Sequence, residues 1–389
     1  MPLKLLATAD IHIGRRPTRL PTTEDARRCS AAAMWDTIVQ TAITQKIDAL
    51  ILAGDIVESD NQYYEALGRL ETGLKRLSEQ GIHTYAVSGN HDFEVFPRII
   101  ESLDDDHFHL VGQGGSWESV QHLHEGEPAL QIHGWSFPSR YVECSPMDSY
   151  TLPRDTSLPT LGILHGDVDV SNSRYAPIST RQLEETDTDL WIMGHVHDAK
   201  PMGQNKALYT GSPQALDPGE QGNHGPWLLH IGDDQKITRE QLVLSRVHYD
   251  TVTVSLDGVD TLDEFDRALG EKTVSAVKDF ATQPSPPEFA ILRVVLDGAT
   301  RTQAFRKLGY PSIVVQVVSP QDGNLELRAW HHAVTGIESE TLMECLSKND
   351  SYYLKEVDPG DMQQQLDLGD AVAAVDIPDG DNYLVCPRE

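Results

Sequence analysis

Cysteine and long apolar runs are both scarce in this sequence. Only four of the 389 residues are cysteines, and they are widely scattered: Cys29, Cys144, Cys345 and Cys386. The absence of a Cys-x-x-Cys pair suits reduced thiols in a cytosol. No apolar run is long enough to cross a bilayer, and residues 1–4 lead straight into an apolar strand rather than into a cleavable signal. We therefore expect a cytoplasmic protein without a membrane segment.

Positive charge is scarce as well. The chain has 31 Lys and Arg against 60 Asp and Glu, which gives a formal net charge of −29 and a pI near 4.8. This balance opposes long-range attraction to a polyanion. Five arginines nevertheless crowd residues 15–28: Arg15, Arg16, Arg19, Arg27 and Arg28. They either contact phosphate groups or form helix-surface salt bridges with neighbours such as Glu24 and Asp25, and both interpretations stay open.

Two common sources of catalysis are also missing. No Walker-type Gly-Lys-Ser/Thr loop occurs, so any dependence on ATP would have to come from another chain. Ser136 and the four cysteines lie outside any recognisable catalytic triad, which gives no support for a covalent enzyme intermediate. The sequence therefore predicts neither nucleotide hydrolysis by a Walker-type loop nor a nucleophilic triad in this chain.

Five short polar strings supply a candidate site. Each follows an apolar run (3–9, 47–53, 84–87, 161–164 and 190–193), and such runs predict buried strands with sharp turns at their ends. The strings are Asp10-Ile11-His12, Gly54-Asp55, Gly89-Asn90-His91-Asp92, Leu164-His165-Gly166 and Gly194-His195-Val196-His197. Helical patterns at 23–45 and 60–80 alternate with the early strands and predict an α/β core. In such sheets ligands bind beyond the carboxyl ends of the strands, where these strings lie.

Together the strings hold enough oxygen and nitrogen donors for two divalent cations. Two metals about 3.5–4 Å apart are a known device for hydrolysing phosphate esters. Each string alone is also compatible with an ordinary polar turn or with a pair of surface histidines. Five strings in order, each at a strand end, are not explained by chance. The sequence therefore predicts a metal-dependent hydrolase.

These strings resemble the calcineurin-like metallophosphoesterase superfamily. Residues 9–14 (Ala-Asp-Ile-His-Ile-Gly) are similar to the opening of SbcD-type DNA-repair exonucleases, and residues 209–215 (Tyr-Thr-Gly-Ser-Pro-Gln-Ala) resemble YhaO-type members. The resemblance covers residues 1–250 and is far weaker beyond them. It implies a metallophosphoesterase fold, which is a central β-sandwich flanked by helices, followed by a small C-terminal α/β capping domain.

The resemblance also implies the roles of individual residues. One metal would take Asp10, His12 and His197, the other would take Asn90, His165 and His195, and Asp55 would bridge the two. The carboxylates, amide and imidazoles suit manganese, iron or zinc, and the family favours Mn²⁺. His91 would face the scissile phosphate rather than bind metal, and would stabilise its oxygens or protonate the leaving alkoxide. Asp92 would orient His91, or would simply cap the turn.

The residues after 250 are expected to form two further parts. An acidic helical stretch at 257–282 and a Pro-rich break at 283–287 precede a strand at 291–296, a helix at 301–308 and a strand at 313–318. We take 1–250 as the nuclease domain, 251–355 as the capping domain and 356–389 as an acidic tail. The composition of that tail fits either a flexible segment or a peptide that orders on a partner.

The expected function is a two-metal DNA phosphodiesterase that acts in DNA repair by in-line attack of a metal-bound hydroxide. It is expected to be an exonuclease, and endonuclease activity stays open. Arg15, Arg16 and Arg19 are the candidate DNA contacts. The resemblance implies an SMC-related coiled-coil ATPase as partner and is compatible with a homodimer. The alternative is a phosphodiesterase or phosphatase that acts on a small phosphorylated molecule, because fold does not settle substrate. A non-catalytic scaffold is a third class, and the intact donor set argues against it.

Overall fold

The computed structural model describes residues 2–20, 28–59, 63–103, 106–255, 259, 261–281, 286–297, 352–356, 373–376 and 382–387. Contacts between residues divide the chain into two units, one of 1–252 with 273–294 and one of 253–272 with 295–389. The five metal-motif strings all lie in the first unit. None of the described helices combines the length and apolar character that a bilayer span requires.

The first unit contains two six-stranded sheets. The strands of the first sheet are β1 (Leu3–Thr8), β2 (Ala49–Ala53), β3 (His83–Val87), β4 (Phe108–Leu110), β11 (Trp227–Ile231) and β12 (Ile237–Gln241). Parallel pairs join β1 to β2, β2 to β3 and β3 to β4, while β11 pairs antiparallel with both β1 and β12. The predicted strands at 3–9, 47–53 and 84–87 correspond to β1, β2 and β3.

The second sheet has the order β5-β6-β7-β8-β10-β9. Its central pairs from β6 to β10 are parallel, and β5 and β9 close its two edges in antiparallel pairs. The strands are β5 (Glu118–His124), β6 (Glu127–Gly134), β7 (Thr160–His165), β8 (Leu190–Gly194), β9 (Lys200–Met202) and β10 (Ala207–Tyr209). The predicted strands at 161–164 and 190–193 correspond to β7 and β8.

A shared apolar core holds the two sheets face to face. Leu5 and Ile51 of the first sheet and Ile132 and Ile163 of the second are completely buried in one cluster. Side chains on the opposite face of the first sheet pack against helices in another cluster. Strands that are buried on both faces consist of consecutive apolar residues, which explains the apolar runs before the polar strings. The predicted α/β fold with a central β-sandwich flanked by helices is confirmed.

Three helices belong to the layer beside the first sheet. They are α1 (Ala31–Gln45), α2 (Tyr63–Ser78) and α3 (Val95–Leu103). The Ser30 side chain caps α1 by accepting a hydrogen bond from the Ala33 amide (3.2 Å), and such a cap stabilises a helix by about 1 kcal/mol. Trp35 is fully buried and donates from Nε1 to the Arg69 carbonyl (3.1 Å), which ties α1 to α2. The predicted helix at 60–80 is confirmed as α2, and the part of the 23–45 prediction before residue 28 lies outside the described residues.

The second sheet carries shorter helical elements. A 3-10 turn at Pro146–Ser149 precedes β7, and helix α4 (Thr180–Glu184) lies between β7 and β8. Ser179 and Gln182 form a reciprocal capping box at the start of α4. A cluster that includes Trp191, Met193 and Tyr209 buries the face of this sheet that is turned away from the first sheet.

The remaining elements are β13 (Val247–Ser255), α5 (Leu262–Ala281) and β14 (Phe289–Asp297), followed by an antiparallel sheet of β15 (Tyr352–Glu356), β17 (Asn382–Pro387) and β16 (Ala373–Asp376). Helix α5 matches the predicted helical stretch at 257–282, and β14 contains the predicted strand at 291–296. The predicted elements at 301–308 and 313–318 lie outside the described residues. The segment from 356 contributes β16 and β17 to a sheet. The domain boundaries at 251–355 and 356–389 stay predictions.

Candidate metal centre

The five polar strings meet beyond the carboxyl ends of β1, β2, β3, β7 and β8. The loops that follow β1 and β2 are joined by hydrogen bonds from the Asp10 amide to the Gly54 carbonyl (3.0 Å) and from the His12 amide to the Asp55 carbonyl (3.1 Å). Asp10, His12, Asp55 and His195 all have positive φ angles, from 51° to 101°. Such backbone is uncommon for residues with a side chain and clusters at functional sites.

The first group of donors consists of Asp10, His12 and His197. One ligand atom from each lies within 4.8 Å of the others. The Nε2 atoms of His12 and His197 are 3.1 Å apart, and Asp10 and His12 are almost completely buried. These are the three residues that the family resemblance assigns to one metal.

The second group consists of Asp55, His165 and His195, again with ligand atoms within 4.8 Å of one another. The Asn90 Oδ1 atom lies 3.1 Å from His165 Nε2 and 3.2 Å from His195 Nδ1. Asn90, His165 and His195 are the residues assigned to the other metal. An amide oxygen between two imidazole nitrogens forms a compact donor set for one cation.

Asp55 lies where its carboxylate can act on both groups. Its Oδ2 atom is 3.2 Å from His165 Nε2, and its Oδ1 atom accepts a hydrogen bond from the His91 amide (2.8 Å). Burial opposes ionisation of Asp55, but the charge and hydrogen bond of His165, followed by the charge of His12, hold its pKa far below the usual range. Asp55 is therefore a buried anion that interacts with a histidine of each group, while its bridging of two metals stays a prediction.

A carboxylate or carbonyl oxygen lies close to the second nitrogen of each of the four donor histidines. His12 Nδ1 lies 3.1 Å from Glu58, His197 Nδ1 lies 2.6 Å from Glu220, and His195 Nε2 lies 3.3 Å from Asp167. His165 Nδ1 is 3.0 Å from the Ala53 carbonyl oxygen. Acceptors of this kind fix the tautomer and orientation of metal-binding histidines. The arrangement fits two divalent cations bound by oxygen and nitrogen.

The sequence interpretation missed Glu58, Asp167 and Glu220. Glu58 and Asp167 are within three residues of the candidate ligands Asp55 and His165, so their spacing was a usable signal. Glu220 is 23 residues from His197, and only the fold brings them together.

His91 borders the first group and contacts Glu58. Its Nδ1 atom is 2.7 Å from Glu58 Oε1 and 3.3 Å from Ser59 Oγ, and its side chain is 25% exposed. Burial lowers the pKa of His91, but the hydrogen bond with Glu58 and the charge of Asp55 outweigh it and raise the pKa above 6.5. His91 is thus a partly exposed imidazole at the edge of the donor cluster, with Glu58 as its orienting carboxylate.

Asp92 organises the backbone beneath the site. Its carboxylate accepts hydrogen bonds from the amides of Gly89 (2.7 Å) and Ile56 (2.6 Å). Burial, followed by the charge of Asp55, raises the pKa of Asp92 to about 7. These contacts correspond to the turn-capping interpretation of Asp92. Gly89 is needed here because an added Cβ would collide with the carboxylate and amide of Asp55.

The segment 209–215 supports the loops of the second sheet. The Tyr209 hydroxyl donates to the Gly166 carbonyl (2.7 Å), and the Ser212 amide donates to the His197 carbonyl (2.9 Å). Gly211 has a φ of 71°, and a Cβ there would meet the His197 carbonyl at 2.6 Å. The segment therefore fixes the position of His197.

The arginines near the first string have different environments. Arg15 forms an ion pair with Asp217 (2.7 Å), and its Nε atom lies 4.0 Å from Glu58. Arg16 and Arg19 are exposed. The acidic neighbours considered at positions 24 and 25, and Arg27, lie outside the described residues. Contacts of Arg15, Arg16 and Arg19 with DNA stay predictions.

The sequence matches the model of one protein family. A family model described as calcineurin-like phosphoesterase matches residues 3–199. The chain is 28% identical to the uncharacterized metallophosphoesterase YhaO of Bacillus subtilis over 202 residues, which are 50% of this chain and 48% of YhaO. It is 31% identical over 90 residues to the DNA double-strand break repair protein Mre11 of Methanosarcina acetivorans, covering 23% of this chain and 14% of that protein.

Among solved structures, a dimetal phosphatase from Danio rerio has 13% identity and a TM-score of 0.40, with coverage of 61% of this chain and 95% of that chain. The matched region of this chain spans about half the length of YhaO and a smaller share of the Mre11 protein.

Proposed function

The chain belongs to the calcineurin-like phosphoesterase family, and from this premise we propose that it is a two-metal DNA phosphodiesterase that degrades DNA ends during repair as an exonuclease, with endonuclease activity left open. The observation that carries the proposal is that three polar strings from the first sheet and two from the second converge in one cluster of carboxylate, amide and imidazole groups. The family supports hydrolysis of a phosphoester; DNA as the substrate is the further step that we propose.

Seven residues would hold the two cations. Asp10, His12 and His197 would bind one, Asn90, His165 and His195 would bind the other, and Asp55 would bridge them. We propose Mn²⁺ as the metal, and Fe²⁺ and Zn²⁺ fit the same donors. When bound, such a pair of cations lowers the pKa of a water molecule and balances the charge on the phosphoryl oxygens.

His91 would protonate the leaving group as a general acid. Glu58 accepts from Nδ1 of the ring (2.7 Å), so Nε2 is the nitrogen that can carry a proton to a departing alkoxide. The hydrogen bond with Glu58 and the charge of Asp55 raise the pKa of His91, which favours the protonated imidazole that a general acid needs. The carboxylate of Glu58 holds the imidazole ring in one orientation, as an orienting partner does for a general acid.

Support for DNA as the substrate comes from the sequence resemblance at residues 9–14 and 209–215 and from the similarity to a DNA double-strand break repair protein. The net charge of −29 opposes tight binding of DNA by this chain alone. We therefore propose an SMC-related coiled-coil ATPase as a partner and Arg15, Arg16 and Arg19 as DNA contacts. A homodimer and a cytoplasmic location complete the proposal, the latter because the described cysteines, Cys29 and Cys144, are free thiols.

One alternative has specific support. The same donor set can serve a phosphodiesterase or phosphatase for a small phosphorylated molecule. The strong negative charge favours that alternative, since a small ester needs no extended positive surface.

Both functions can be separated by a manganese-dependent hydrolysis assay on linear duplex DNA, single-stranded DNA and bis(p-nitrophenyl) phosphate. The DNA proposal expects cleavage of DNA, with a loss of about 10²- to 10⁴-fold in His91→Ala, as is typical of a missing general acid. His230→Ala, an exposed histidine on β11, is the matched control and should keep the wild-type rate. Turnover of the small ester alone, with and without an ATPase partner, would reject DNA as the substrate.

A further inference from the structure

Tyr141 presents an aromatic ring to solvent close to two arginines. The residue is 42% exposed. The Arg174 guanidinium carbon lies 3.9 Å from the centre of the Tyr141 ring, and the Arg140 guanidinium carbon lies 5.9 Å from it. These distances are within the range of cation–π attraction. Two arginines around one exposed aromatic ring form a local positive, stackable surface on a protein of strongly negative charge.

The backbone beneath Tyr141 is well ordered by hydrogen bonds. The Val142 amide donates to the Arg174 carbonyl (2.9 Å), and the Ala176 amide donates to the Val142 carbonyl (2.8 Å). These bonds form a parallel bridge between Val142 and Tyr175. The backbones that carry Tyr141 and Arg174 are therefore held as neighbours.

A row of rings connects this surface to the metal centre. The Tyr141 and Tyr175 ring centres are 5.8 Å apart, and the Tyr175 and His195 ring centres are 5.0 Å apart. The Tyr175 carbonyl also accepts from the amide of Asp167 (2.9 Å), whose carboxylate contacts His195. A group that stacks on Tyr141 is thus two ring spacings from a candidate metal ligand.

The two arginines are available to an anion or a flat ligand. Among the described residues, Arg140 forms no salt bridge. Arg174 approaches Glu143 at 3.7 Å, but both side chains are more than half exposed, and an exposed pair of this kind contributes little.

We propose that an unpaired nucleobase binds to Tyr141, Arg140 and Arg174, an inference that rests on the proposed function. The base belongs to the DNA strand whose phosphate lies at the metal centre. An aromatic face combined with arginine is how proteins bind single strands without reading sequence. A small phosphate ester without a base offers no flat face for this ring. Bases inside a duplex are already stacked on each other, so the surface favours a frayed or single-stranded end.

The test is binding of a fluorescein-labelled single-stranded phosphorothioate oligonucleotide, measured by fluorescence anisotropy at low salt with Mn²⁺ present, so that the metal centre is loaded while the modified linkages suppress cleavage. Tyr141→Ala should weaken binding about 5- to 150-fold, the range for losing one stacked base. Tyr141→Phe keeps the ring and should bind like the wild type. Arg174→Ala should weaken binding, whereas Arg181→Ala, an exposed arginine paired with Glu185, should not.

An oligonucleotide with abasic sites completes the design. It should bind the wild type more weakly than the intact strand does, and Tyr141→Ala should weaken it little further. Equal binding of the intact strand by wild type and Tyr141→Ala, or equal binding of intact and abasic strands by the wild type, would each overturn the inference. Because this assay measures binding without turnover, it fails independently of the hydrolysis assay. Unchanged melting temperatures of the variants would exclude unfolding as the cause.

Discussion

Replacing Glu220 by Gln should change how many protons leave the protein when Mn²⁺ binds. In the metal-free protein, burial lowers the pKa of His197, but the hydrogen bond with Glu220 and the charge of Asp10 outweigh it and raise that pKa to about 9. His165 also has a pKa of about 9, because the charge of Asp55 outweighs burial. Both rings are therefore protonated at pH 7.5 and must lose a proton before they can bind a cation.

The magnitude follows from these two values. At pH 7.5 His165 and His197 should together account for about two of the protons released, and each of these costs about 2 kcal/mol of metal affinity, since one pKa unit corresponds to about 1.4 kcal/mol. Glu220→Gln removes the negative charge that holds the proton on His197, so the variant should release about one proton fewer than the wild type. The same substitution removes the orienting carboxylate, which typically costs about 10- to 100-fold in metal affinity.

The two effects oppose each other near pH 7.5, so affinity alone is a poor measure there. The Glu220 carboxylate also accepts from the Leu216 amide (2.7 Å) and from the Ser212 hydroxyl (3.1 Å). A Gln amide cannot accept from all three donors, because one of its two polar atoms is itself a donor. As pH rises toward 9, proton competition fades, and the variant should then bind Mn²⁺ more weakly than the wild type.

Isothermal titration calorimetry in two buffers with different ionisation enthalpies gives the proton count directly. Glu240→Gln, an exposed glutamate on β12, is the matched control and should release as many protons as the wild type. Release of no protons by the wild type, or the same count in Glu220→Gln as in the wild type, would refute the reasoning.

Three other predictions test the scaffold and the site. His133 is completely buried, and burial lowers its pKa to about 4 from 6.5; its neutral form therefore stabilises the fold above pH 6.5, and this stabilisation is lost as pH falls toward 4. Between pH 7 and pH 5 the free energy of unfolding, measured with urea, should fall by about 2 kcal/mol more in the wild type than in His133→Gln. An equal fall in the two proteins would contradict this. Gly89→Ala should reduce Mn²⁺ content, measured by plasma mass spectrometry, because the new Cβ displaces Asp55, and an unchanged content would show that the loop adapts. Asp55→Asn should weaken both metal positions together, and two tightly bound metals in that variant would contradict a bridging role.

The strands and the placement of the polar strings could be predicted from sequence because both are local. Continuous apolar runs such as 47–53 mark strands buried on both faces, and a polar residue next to the run marks the strand end. Asp10, Asn90 and His165 were accordingly expected at neighbouring strand ends, where the structure has them.

The strand order and the partners of the histidines could not be predicted in this way. The antiparallel β11 pairs with β1 across more than 200 residues of sequence, and no local pattern specifies that register. Glu220 reaches His197 only because the segment after β10 folds back over the loop that follows β8. The aromatic contact between Tyr175 and His195 likewise depends on tertiary packing.

The central claim is that the strings assemble one site for two cations. Anomalous diffraction from crystals of the protein soaked in MnCl₂, recorded near the manganese absorption edge, tests it most directly. The account predicts two adjacent peaks about 3.5–4 Å apart, one contacting Asp10, His12 and His197 and the other contacting Asn90, His165 and His195, with Asp55 between them. A single peak, or peaks away from these side chains at saturating manganese, would contradict it.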